Sequence, residues 1–119
     1  MEELLRNKLE AAYELKTLTL SINELSLIFD YNRVNSLIDK RQQYIDKINI
    51  INEKINELKS NTNYIETNDA KKLNKEISRV FKEVYEIDKS IRKNINNELK
   101  IIKGKLNYSD TSLRVNIQI

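Results

Sequence analysis

From Val34 to Leu58 apolar residues recur in alternating three- and four-residue steps: Val34, Leu37, Tyr44, Ile48, Ile51, Ile55 and Leu58, with Arg41 in the single polar seat. Spacing that averages 3.5 keeps side chains on one side of an α-helix, and a helix with one dry side must cover it with another helix. The pattern predicts a helix over about 32–59. The same rhythm in Leu4, Ala11, Leu15, Leu18, Ile22, Leu25 and Phe29 predicts a first helix over about 2–29, with Lys8 as its one polar interruption. Leu5, Leu9, Ala12, Leu20 and Leu27 lie beside that seam and widen it, so this helix is expected to touch two neighbours. A third seam, Ala70, Leu73, Ile77, Val80, Val84, Ile87 and Ile91, predicts a helix over about 69–106. Its continuation through Ile95, Leu99, Ile102 and Leu106 opens with two consecutive four-residue steps, a stutter that rotates the stripe. The last third of this helix is therefore expected to face a different neighbour, or none.

The breaks are read from residues that compete for backbone hydrogen bonds. Asp30-Tyr31-Asn32 suits a tight antiparallel turn, because Asp and Asn side chains accept from the free amides that open a helix. With no glycine or proline there, the rival is one continuous helix over 2–58, about 85 Å long. Ser60-Asn61-Thr62-Asn63 is the clearest loop. Tyr64 and Ile65 are expected to pin it to the bundle end, and Thr67, Asn68 or Asp69 to cap the next helix. From Asn107 the chain turns polar and then alternates Leu113, Val115, Ile117 and Ile119 with polar residues. Over 107–119 this predicts an extended or disordered tail: a frayed terminus, or a peptide that docks on a partner or on the bundle itself. The fold expected is all-α, an elongated antiparallel three-helix bundle or coiled coil over 1–106 with a flexible C-terminal tail.

Composition narrows the chemistry. There is no proline, and Gly104 is the only glycine; apolar residues make up 39% and charged residues 33%, which suits narrow stripes on an elongated molecule. The net charge is +3 with acids and bases interleaved, so nucleic acid is not the expected partner. Without cysteine or histidine the chain lacks thiolate chemistry and the commonest general base and metal ligand, and no enzyme activity, cofactor or metal is expected. The opening Met1-Glu2-Glu3-Leu4-Leu5 lacks the plan of a signal peptide, and no apolar run is long enough to insert in a bilayer, so a cytoplasmic protein is expected.

Arg41 occupies a seam position where a guanidinium needs a carboxylate or an exit to water. The open alternatives are an ion pair with Glu14, Glu24 or Glu83, and a contact to a partner. Glu2 with Arg6, and Asp88 with Arg92, read as i, i+4 helix support. Ile38, Ile45, Tyr85 and Ile101 flank the seams, where they either widen the core or line a groove. The residues expected to contact a partner are Ile38, Arg41, Tyr44, Ile45, Tyr85, Ile95, Leu99, Ile101 and Ile102.

The run Leu37-Ile38-Asp39-Lys40-Arg41-Gln42-Gln43-Tyr44-Ile45 fits a Leu-Ile-x-x-Arg-x-x-x-Ile pattern. In this, and in layout over about 1–106, the chain resembles flagellar type III export chaperones of the FliT and FlgN kind. The resemblance implies a cytosolic protein that holds an axial flagellar subunit, the filament cap or a hook-associated protein, and delivers it to the export gate. Capture of an amphipathic segment in an apolar groove would be the physical mode. The same run also looks like the first helix of the all-helical chorismate mutases, where an Arg binds a substrate carboxylate. That family needs a Lys about eleven residues on; here Asn52 stands there, with Lys54 two residues later, and the downstream Arg-Glu is replaced by Asn68-Asp69-Ala70-Lys71-Lys72. A third reading is a homo-oligomeric coiled-coil scaffold or adaptor, a homodimer being its simplest form.

Overall fold

The computed structural model describes residues 1–109. Three helices account for most of them: α1 over Glu2–Asn23, α2 over Tyr31–Asn61 and α3 over Asn68–Ser109. The architecture is the expected all-α bundle, elongated to 68 × 21 × 20 Å. Helices α1 and α3 run parallel, with α2 antiparallel to both. The Thr67 hydroxyl donates to Glu2 Oε1 at 2.7 Å, Lys16 Nζ meets Glu83 Oε2 at 2.5 Å, and Asn94 Nδ2 donates to Asn23 Oδ1 at 3.1 Å, so residue numbers climb together along the pair.

Helix α1 lies in the middle. It packs on both other helices, whereas no Cα atom of α2 comes within 8 Å of one in α3. Small side chains explain the close approach: Ala11, Ala12 and Thr19 on α1 and Ala70 and Val80 on α3 are all buried. Thr19 was invisible to a search for apolar positions. Its hydroxyl donates to the Leu15 carbonyl at 2.7 Å, one turn back, which satisfies the polar atom and leaves the methyl to pack. Leu5, Ile51, Ile55, Ala70 and Ile77 form one core cluster, and Ala11, Leu15, Ile48 and Val84 form a second further along. Leu5 and Ala12, expected beside the α1 seam, are among its deepest residues, and this is how one helix serves two neighbours.

Helix α1 stops at Asn23, six residues before the expected end at 29, and the turn is longer than Asp30-Tyr31-Asn32. The reason is a side-chain frame. Ser26 N–H donates to Asp30 Oδ2 at 3.0 Å, Ile28 and Phe29 N–H donate to Ser26 Oγ at 3.3 Å each, and Leu27 N–H donates to Glu98 Oε2 at 3.1 Å. Four amides that a continuing helix would have paired internally find acceptors here, so the single helix over 2–58 does not form. Asp30 is the residue before α2, yet its carboxylate points back to Ser26 and makes no cap bond to α2. Phe29, expected in the α1 seam, is 87% exposed.

The second connection follows expectation more closely. Thr67 caps α3, its hydroxyl accepting from Ala70 N–H at 3.1 Å while its carbonyl accepts from Lys71 N–H at 3.0 Å. Tyr64 is partly buried against the bundle end, but Ile65 points into solvent and pins nothing. Residues 107–109 continue α3 instead of opening a tail. The extended segment expected from residue 110 onward lies outside the described residues.

Candidate partner-docking end

The α1–α2 turn and the start of α2 sit against α3 between Ile91 and Glu98. Ile22, Leu25, Leu27, Val34, Ile38, Ile91 and Ile95 wall an open cleft of about 70 Å³ there, with Asn23, Asn94 and Glu98 as its polar members. Small-molecule sites usually need about 300 Å³ or more. A space of this size takes the tip of one side chain.

Large apolar side chains are left in solvent around it. Ile28, Phe29 and Tyr31 stand exposed on the turn, Ile38 is 46% exposed on α2, and Ile101 is 58% exposed on α3. Helix α3 continues past Glu98 for about 16 Å at 1.5 Å per residue, beyond the level where the α1–α2 turn crosses it. On this overhang Leu99 and Ile102 are half-buried. Helix α1 ends at Asn23, opposite Asn94, so the continued stripe of Leu99 and Ile102 runs past the helix that covers α3 lower down.

The residues expected to contact a partner do not form one surface. Ile38 and Ile95 share the cleft, and Leu99, Ile101 and Ile102 lie next to it on the overhang. Tyr44 and Ile45 pack instead on the core cluster of Ala11, Leu15, Ile48 and Val84. Tyr85 is exposed further down α3, with the Lys89 ammonium 4.6 Å from its ring centroid. Arg41 Nη2 donates to Asp88 Oδ2 at 2.8 Å, and the two side chains are 26% and 24% exposed. The partner is none of Glu14, Glu24 and Glu83. Glu83 is held by Lys16 and Arg79, and Asp88 is reached because Arg41 spans the gap between α2 and α3. Asp88 therefore serves α2, and Arg92, its expected i+4 mate, stands exposed. Glu2 and Arg6 do pair, at 3.7 Å.

Apolar patterning could not have found the turn residues Ile28, Phe29 and Tyr31, because Phe29 continues the α1 rhythm on paper. The signal that was present is Ser26 four residues before Asp30, a local frame of the kind that ends helices.

Two further clusters complete the surface. Across α1 and α3, the Tyr13 hydroxyl and the Arg79 guanidinium both donate to the Glu76 carboxylate, and Arg79 also reaches Glu83. These bonds, with Arg79 first and Tyr13 second, hold the Glu76 carboxyl down at about 2. At the opposite end of the bundle, where the backbones of α2 and α3 stay apart, there is an open, polar cleft of about 650 Å³ lined by Lys8, Asn52, Asn56, Lys59, Tyr64 and Asn74 among others. Burial, and then the charge of Lys59, push the Lys8 ammonium below its usual value. Lys8 lies 5.9 Å over the Phe81 ring, which accounts for a lysine tolerated at a seam position.

Among the described residues no helix is long and apolar enough to cross a membrane. No protein-family model, curated protein or solved structure matches the chain.

Proposed function

We propose that this chain is a cytoplasmic export chaperone of the flagellar type III kind. It holds an axial subunit, the filament cap or a hook-associated protein, through an amphipathic segment laid on the apolar end and hands it to the export gate. One observation carries the reading: Ile38 lines a cleft with room for the tip of a side chain, and Ile28 and Phe29 on the adjoining turn, Tyr31 at the start of α2 and Ile101 one turn past Glu98 on α3 are all exposed. Exposed apolar surface concentrated at one end of a small bundle is what a protein partner covers. The sequence pattern around Arg41 supplies the choice of family.

Co-expression with the filament-cap and hook-associated proteins of the same cell tests this directly. A binary complex by size-exclusion chromatography is expected with one of them. Phe29→Ser combined with Ile101→Ser should weaken it by about ten- to a hundredfold, since two exposed anchors are lost, and should leave melting unchanged. Absence of any complex, or a complex indifferent to both substitutions, overturns the reading. A stable dimer by light scattering without any subunit would favour the scaffold alternative. The chorismate mutase alternative loses its central cation, because Arg41 is already engaged by Asp88.

A further inference from the structure

The charge around the docking end says more about what occupies it, and the following rests on the docking reading above. Between Asp69 and Asp88 helix α3 alternates acids and bases, and several of them pair with each other or with α1. Past Asp88 the balance changes. Lys89 still reaches back to Glu86 at 3.5 Å, but Arg92, Lys93, Lys100 and Lys103 have among them a single acid, Glu98, whose carboxylate is taken up by the Leu27 amide. On the turn, the Asp30 carboxylate is likewise committed to the Ser26 amide.

Helix-dipole stabilisation does not account for this run. That effect fades within the final turn, the cations begin well upstream of it, and the last turn of α3 carries no basic residue. Nor are the cations placed at random around the helix. Arg92, Asn96, Leu99 and Lys103 follow four-three-four steps and so share one edge, directly beside the stripe of Ile91, Ile95 and Ile102. Tyr85, seven residues before Arg92, extends the same edge. Arg92, Asn96 and Lys103 are exposed.

We infer that the occupant of this end is an amphipathic helix carrying Glu or Asp along one edge of its apolar face, set to meet Arg92 and Lys103. The part of the stripe open to a partner runs from Ile95 at the cleft to Ile102, about 10 Å, so the occupant presents two turns, with anchors at i, i+4 and i+7. Its acids neutralise cations whose one neighbouring acid on that edge, Asp88, is committed to Arg41 across the bundle. This complementarity accelerates encounter and selects among apolar helices.

Three synthetic 15-residue helices with the same Leu and Ile face, flanked by Glu, by Gln or by Lys, test the proposal by fluorescence anisotropy on the full chain. The Glu peptide is expected to bind about tenfold tighter than the Gln peptide at low salt and the Lys peptide weakest, with the spread shrinking at about 0.5 M salt. Arg92→Gln with Lys103→Gln should erase the preference while leaving the Gln peptide's affinity and the helicity intact. Equal binding of the Glu and Gln peptides overturns the charge inference and leaves docking standing. Failure of all three to bind overturns both. Phosphatidylserine-containing vesicles that bind the chain through Arg92 and Lys103, more tightly than any peptide, would reassign the surface to a lipid and overturn the helix occupant.

Discussion

Arg41 and Asp88 show what a single seam substitution does in a bundle whose outer helices stay apart. An apolar residue at position 41 alone would leave the Asp88 carboxylate without its partner across the space between α2 and α3, while a guanidinium crosses it and finds that carboxylate. A pair about a quarter exposed lies between the weak surface case and the costly buried one. Arg41→Ala should therefore destabilise by about 1–2 kcal/mol, and Arg41→Met with Asp88→Leu should recover most of the loss, as a double-mutant cycle in urea would show. Glu76 makes a pH prediction. Its carboxyl sits near 2 in the folded chain, below the ordinary 4.5, so its contribution is fully present above pH 4.5 and fades as pH falls toward 2. Urea midpoints of the wild type and of Glu76→Gln should differ at pH 6 and converge on approach to pH 2.5. Wild-type and variant curves that stay parallel throughout would refute the linkage.

At the scale of elements, the seams were legible because helix pairing imposes a spacing that survives any detail of packing. All three helices, the stutter in α3 and the double duty of α1 follow from it. Helix ends were less legible, since they depend on which side chain reaches which amide. Ser26, Asp30 and Glu98 close α1 early, and Glu98 is more than seventy positions away, beyond any local reading. The cap of α3 was legible because it is local. Thr67→Ala removes the oxygen that receives the Ala70 amide, along with the bond to Glu2, and should cost about 1 kcal/mol, read as a lower Tm. The candidate site divided in the same way. Ile95, Leu99 and Ile102 could be picked from the continued stripe and Ile38 and Ile101 from positions beside the seams, whereas Tyr44 and Ile45 were absorbed by the core of Ala11 and Leu15, and Phe29 was released because α1 ends at Asn23.

For the molecule as a whole, the overhang of α3 runs past the level where the α1–α2 turn crosses it at Glu98. Gly104 lies in it with nothing within 4 Å of where a Cβ would stand. Glycine inside a helix costs about 0.5–1 kcal/mol relative to alanine. Gly104→Ala should therefore deepen the far-UV helical signal without moving the Tm of the bundle, because the added methyl meets no other part of the described chain. A Tm that rises with helicity would mean that overhang and bundle melt together.

The central position of α1 also sets the order in which the chain completes itself. On the ribosome α1 emerges first and can zip with α2 as a hairpin of neighbouring segments. Its other flank, which meets α3 through Tyr13 and Lys16, stays bare until α3 has been synthesised across that level. The first of the three helices to be made is thus the last to be roofed, and the nascent hairpin has one greasy flank on view throughout that interval.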